Sequence, residues 1–269
     1  MPLCFLTHEN MLMRLFFAFL LLIPGLLQPV RLAAQPSSGK GTTLYYEYLN
    51  LGMREKHEVT LSVQGFESLS VIQGGVPISD TEEAKGDFSI RGDDPVGRQV
   101  YKNAKTNEVV FRDFSSDAGA LEPCVVQDPL SKMKWRFTGE KKQVGPYPCR
   151  SAQTAFRGRE YVAWYTDELP ITHGPWKFAG LPGAIVEVES ADRIIQFRLV
   201  KVEGGVKTSV QRPTNGKVIS MEEFAKRRQS AEEDFINTLK AKLPRGAEVT
   251  VNSAADHNLE IDFSDIIKK

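Results

Sequence analysis

The sequence predicts an α+β fold, mainly antiparallel β: a single twisted or open barrel-like sheet with one long C-terminal amphipathic helix. Three observations carry this. Apolar and polar residues alternate over much of Thr42 to Val202, the period of strands with one buried and one wet face. Turn-forming pairs and clusters divide that stretch. Behind a capping signal near the C-terminus, the spacing then changes to that of a helix.

Composition narrows the function classes. The 269 residues carry 34 Lys+Arg against 34 Asp+Glu, a formal net charge of +0, so no global field draws nucleic acid or anionic lipid. Hydrophobic residues at 41% and charged residues at 25% fit an ordinary globular chain rather than a disordered one. Three cysteines are too few for a disulfide-dense scaffold.

At the N-terminus, Arg14 precedes an apolar run from Leu15 to Ile23, broken by Pro24-Gly25, and Leu32-Ala33-Ala34 offers small residues before Gln35. Residues 1–34 read as an export signal, with Met11 or Met13 as alternative starts. The run is shorter than the ~20 residues of a membrane span, an uncleaved anchor being the competing reading. No second long apolar run follows, so the expectation is a periplasmic or secreted protein without a span after cleavage. Residues 35–41 read as a flexible leader and 42–269 as a single domain.

Strands are predicted around Leu44, Tyr46 and Tyr48, then Val59, Leu61 and Val63, then Met133, Trp135 and Phe137. Ala184, Val186 and Val188 repeat the scheme, as do Ile195, Phe197 and Leu199. Gly74-Gly75, Gly92 to Pro95, Thr106-Asn107, Gly139-Glu140, Arg157-Gly158 and Gly204-Gly205 supply turns. Phe114 to Pro129 lacks periodicity and reads as a long loop. Ser220-Met221-Glu222-Glu223 is a capping box. Phe224, Ala231, Phe235, Leu239 and Leu243 then mark one helical face, suited to packing on the chain's own sheet rather than on a membrane, until Pro244 and Gly246 end it. Ala247 to Phe263 reads as one or two closing strands.

Cys4 leaves with the signal. Cys124 and Cys149 remain in an oxidising compartment and are expected to form a disulfide, two free buried thiols being the alternative. Neither has the C-x-x-C spacing or adjacent His of a metal or redox pair.

Trp135 to Val188 is dense in short motifs: Gly145-Pro146-Tyr147-Pro148-Cys149, Phe156-Arg157-Gly158-Arg159, Ala163-Trp164-Tyr165-Thr166, Gly174-Pro175-Trp176-Lys177-Phe178 and Gly180-Leu181-Pro182-Gly183-Ala184-Ile185. This ordered series resembles the GLPGLI family of exported proteins found mainly in Bacteroidetes, with Ala184 standing where the family's name has Leu. The resemblance implies export and no established activity. Its motif residues Trp164, Gly174, Pro175, Trp176, Phe178, Gly180, Leu181, Pro182 and Gly183 are the candidates for an interaction.

The residues themselves suggest more. Leu181-Pro182-Gly183-Ala184 fits a type II turn joining a strand Trp176–Gly180 to a strand Ala184–Ser190. Large aromatics at such positions are core, or else line a groove for an apolar ligand. Arg157 and Arg159 flank Gly158 at a hairpin tip, as a solvated turn or an anion contact.

Catalytic signatures are missing: the nucleophile elbow, H-E-x-x-H, the P-loop and G-x-G-x-x-G do not occur. His57-Glu58 lacks a second His, and His57, His173 and His257 stand isolated. Arg91-Gly92-Asp93 is a short match expected by chance. No catalytic residue, cofactor or metal is assigned. The expectation is a non-catalytic envelope protein that binds an outer-membrane or other protein partner, or a small apolar ligand. Two alternatives stand beside it: a hydrolase or thiol enzyme using Cys149 with His173 as base, and a metal protein using His57, His173, Asp167 and Glu168.

Overall fold

The computed structural model describes residues 37–78, 94–117, 120–129, 133–242 and 258–267, all within the unit Pro36–Lys269. The proposed signal, Arg91-Gly92-Asp93 and His257 lie outside the described residues.

Strands appear where the alternation is strict. In β1 (Ser37–Asn50) Leu44, Tyr46 and Tyr48 are buried, and in β2 (Glu55–Gln64) His57, Val59, Leu61 and Val63 are. β3 (Glu67–Ile72), β5 (Arg98–Asn103) and β6 (Glu108–Asp117) continue the meander, while β4 (Val76–Pro77) pairs at the end of β2. β7 (Ala120–Asp128) pairs with β6 and occupies the segment expected to be a long loop. Its periodicity is hidden because both faces are packed: Cys124 and Val126 belong to the main core, whereas Val125 joins Tyr101, Val110 and Val210 in a second cluster.

β8 (Arg136–Val144), β9 (Tyr147–Phe156), β10 (Arg159–Thr166), β11 (Ala184–Ser190) and β12 (Ile195–Val210) form the other half, and β13 (Lys217–Ile219) lies parallel to β7. All other pairings are antiparallel, in one open sheet ordered β13-β7-β6-β5-β3-β2-β1-β12-β11-β10-β9-β8.

Three expected punctuations change character. Ser37 to Gly41, read as a leader, pair with Val210 to Val206 of β12. Gly204-Gly205 and Gly139-Glu140 are not turns: positive φ at Gly205 and Gly139 accommodates register shifts within β12 and β8. Met133 and Trp135 precede β8 and pack on the core without strand pairing.

The helix α1 (Met221–Lys242) starts where the capping box places it, Ser220 Oγ accepting from Glu223 N at 3.0 Å. Met221, Phe224 and Ala225 are buried, with Phe224 edge-on to Phe111 of β6. Its apolar stripe is supported only over this first part; the side chains of residues 232–242 lie outside those described, so a long amphipathic helix is not established. Of the expected closing strands, 247–257 lie outside the described residues, and 258–263 carry no strand. No helix among the described residues is long and apolar enough to cross a membrane.

Candidate functional site

The core of the sheet is filled by the irregular connection from Thr166 to Ala184. Trp176, Phe178 and Leu181 are buried there with Phe156, Tyr161 and Phe197. Phe178 meets Tyr161 edge-on at 4.9 Å and Trp176 at 5.1 Å, and Trp135 Nε1 donates to Ala179 O at 2.8 Å. The expected strand Trp176–Gly180 does not form; a single bridge, His173↔Ala179, holds the connection together.

The type II turn at Pro182-Gly183 is likewise absent, since Gly183 has no positive φ. Gly183 serves close approach instead: a Cβ there would lie 1.9 Å from Thr166 O. Left-handed backbone falls at Gly180 (φ 93°) and at Trp176 (φ 50°), the latter costing about 1–2 kcal/mol for a non-glycine residue.

Three groups of the sheet pin this strained segment. Ser70 Oγ accepts from Trp176 N at 2.9 Å. Ser68 Oγ shares a hydrogen bond of 3.0 Å with His173 Nδ1. Lys102 Nζ, from β5, donates to the carbonyls of Gly174, Trp176 (2.6 Å) and Phe178 (2.9 Å), which satisfies all three of its protons. Burial pushes Lys102 down to about 7. Burial, aided by the Lys102 charge, lowers His173 to about 4, so His173 is neutral near pH 7.

Lys177 is buried beside them in a four-charge cluster. Its Nζ lies 2.7 Å from Asp128 Oδ2 and 2.8 Å from Glu260 Oε1. Arg157 forks onto both oxygens of Asp128 at 2.6 and 2.9 Å, and its Nη1 also donates to Glu260 Oε1. The Lys177 ammonium stands 4.1 Å from the Phe111 ring centroid. Burial alone raises a carboxyl pKa, but Lys177 and Arg157 outweigh it and hold Asp128 below its usual value. Arg157 is thus no solvated tip. It and Gly158 (φ 41° and 82°) form the two-residue β9–β10 turn, with the guanidinium turned inward. Arg159 is also buried and pairs with Asp192.

A cleft of about 270 Å³ opens beside this segment, between the β5–β6 turn and the connection. Val109, Met133, Ala179 and Gly180 give it apolar walls, and Ala104 and Asn107 stand at its rim.

The structure separates the remaining candidates. Cys124 and Cys149 are free and buried, not disulfide-bonded. Eight strands lie between β7 and β9 in the sheet, and Cys149 alternates out of phase with the core-facing Ala152 and Phe156. Cys149 donates to Tyr147 O, and burial raises both thiols above their ordinary value. His173 is hydrogen-bonded to Ser68 of β3, whereas Cys149 lies on β9, with five strands between β3 and β9 in the sheet. Trp164 lies out of phase with core-facing Ala163 and Tyr165, under Lys142 Nζ at 4.4 Å. His57 donates to Gln73 O and faces Glu55, Asp167 pairs with Arg150, and no group of three potential metal ligands gathers among the described residues. Sequence reasoning missed Lys102, Asp128 and Glu260, which carry no local motif.

A family model described as a protein of unknown function (Porph_ging), a Bacteroidetes-associated domain, matches residues 153–187, from β9 through the connection into β11. No curated protein sequence matches the chain. Among solved structures, PNGF-II in its C2 and P21 space groups is similar at 15% identity and TM-scores of 0.46 and 0.45. Each match covers 72% of this chain, and 33% and 34% of those chains, so this chain spans about a third of their length. An uncharacterized conserved protein from Thermus thermophilus is similar over 68% of this chain and 91% of its own, at 6% identity and a TM-score of 0.35.

Proposed function

We propose that the chain is an exported, non-catalytic binding protein of the GLPGLI type that works in the cell envelope. It takes a small apolar ligand, or an apolar side chain of a protein partner, in the cleft beside His173. The cleft carries this reading: it has ligand-sized volume and walls from Val109, Met133, Ala179 and Gly180. Most of its polar lining is committed elsewhere: Lys102 and His173 hold the connection, Lys177 is held by Asp128 and Glu260, Asn103 donates to Glu67, and Glu108 pairs with Arg212. That leaves the cleft suited to apolar contact rather than to chemistry. The Leu15–Ile23 run and the small residues at Ala33-Ala34 support export.

A photoreactive amino acid at Ala104, on the rim, tests this in the native host, with Val218, exposed on β13, as the control position. The expected result is an adduct formed from Ala104 and not from Val218, and lost when Thr172→Trp fills the cleft. No adduct, or equal adducts at both positions, would reject the reading.

A further inference from the structure

Residues 258–267 lie on the sheet without helix or strand, and Leu259 to Asp262 are held by Tyr161 of β10, Arg157 of the β9–β10 turn and Lys177 of the connection. Tyr161 OH donates to Leu259 O at 2.7 Å. Arg157 O accepts from both Ile261 N and Asp262 N at 3.0 Å. Gly158 makes the approach possible, since a Cβ there would stand 2.7 Å from Ile261 and 2.8 Å from Asp262. Leu259 is buried in the core cluster, and Phe263 lies edge-on to Phe224.

Charge makes the arrangement specific. Without Glu260 the cluster keeps two cations, Arg157 and Lys177, against one anion, Asp128, with those three side chains at most 2% exposed. An uncompensated buried charge is costly, so the groove requires one carboxylate at this point. Arg157 Nε, which has no hydrogen-bond partner, faces a second carboxylate, Asp265 Oδ2, at 3.6 Å. The sheet therefore reads a sequence: an apolar residue, a glutamate, two backbone N–H groups and an aromatic residue.

We propose that this groove is a binding site for an acidic, apolar-flanked peptide segment, and that its ligand in trans is the same C-terminal segment of a second copy of the chain. In a lone copy, the chain's own Glu260 fills the site. Residues 243–257 join α1 to the segment, and a chain of that length reaches up to about 50 Å when extended, enough to deliver it to a neighbour. Exchange of this kind adds no new contact type, because each groove receives the residues it already fits. The groove shares Lys177 with the cleft beside His173, but Tyr161, Gly158 and Arg157 do not line that cleft, and the two sites are read by different experiments.

The test titrates the full chain with a labelled synthetic peptide of residues 258–267, and with the same peptide carrying Gln in place of Glu260, while its mass in solution is followed against concentration. The expected results are binding of the Glu peptide, binding about tenfold weaker for the Gln peptide through loss of a charge-assisted pair, and binding about tenfold tighter in full-length Glu260→Gln, whose own segment competes less. The chain should also pass from monomer to dimer as concentration rises. Peptide binding with a chain that stays monomeric at every concentration would overturn the second copy as ligand. No peptide binding to either full-length protein, or equal binding of both peptides, would overturn the site.

Discussion

Lys177 Nζ lies 2.7 Å from Asp128 Oδ2, and neither side chain is more than 1% exposed. The pair ties the connection before β11 to the end of β7, two segments far apart in the chain. It is also where the aromatic core meets charge, because the same ammonium stands over Phe111.

Removing one partner should be far worse than never having had either. Lys177→Met leaves Asp128 and Glu260 sharing Arg157 alone, and should lower the unfolding free energy by about 3 kcal/mol. Denaturant unfolding with an unchanged slope would measure it. A loss below about 1 kcal/mol would mean the cluster is open to water.

Lys102 and His173 should give stability two separate pH windows. Both have folded-state values below their unfolded ones, about 7 against 10.5 and about 4 against 6.5. Between each pair of values the unfolded chain binds more protons, so stability rises with pH across about 7 to 10.5 and again across about 4 to 6.5. Lys102→Met should remove the upper rise and His173→Gln the lower one, in unfolding curves taken through each window. An upper rise that persists in Lys102→Met would assign it to another group.

The two thiols give a simple outcome. Because Cys124 and Cys149 are unbonded, a reductant should leave the midpoint of thermal unfolding unchanged. Alkylation of the denatured, unreduced chain should label both, read by intact mass. Labelling at neither position would show that they pair.

How much of this was legible in the sequence depends on how many faces each element buries. Strands such as β1 and β2 show one buried row and one wetter row, so Leu44, Tyr46 and Tyr48 announce themselves. β7 packs on both faces and loses the signal. Ser68 and Ser70 point inward although polar, because they hold His173 and Trp176 rather than pack apolar neighbours. The motif region was visible as a cluster of Gly, Pro and aromatic residues, but its shape was not. A Pro-Gly pair fits a type II turn locally, whereas Gly183 takes no positive φ and lies where a Cβ would have no room beside Thr166 O. Arg157 read as a solvated tip because its partners, Asp128 and Glu260, are 29 and 103 residues away. A single sequence records the charges and not their pairing.

Gly180 and Gly183 share a motif and should fail for different reasons. Gly180 has φ 93°, and a Cβ added to it would find nothing within 4 Å, so Gly180→Ala meets only backbone strain, about 1 kcal/mol. Gly183 needs no unusual φ, yet its Cβ would collide with the backbone oxygen of Thr166 at 1.9 Å. Backbone cannot swing aside as a flexible side chain can, so Gly183→Ala must push β10 and β11 apart where Thr166 pairs with Ala184. Its cost should reach the upper end of the 1–3 kcal/mol typical of overpacking. Amide exchange should distinguish the two variants, because Gly183→Ala alone should speed exchange at Ala184, whose N–H donates to Leu169 O. Equal losses and equal exchange in both variants would refute close approach as the reason for Gly183.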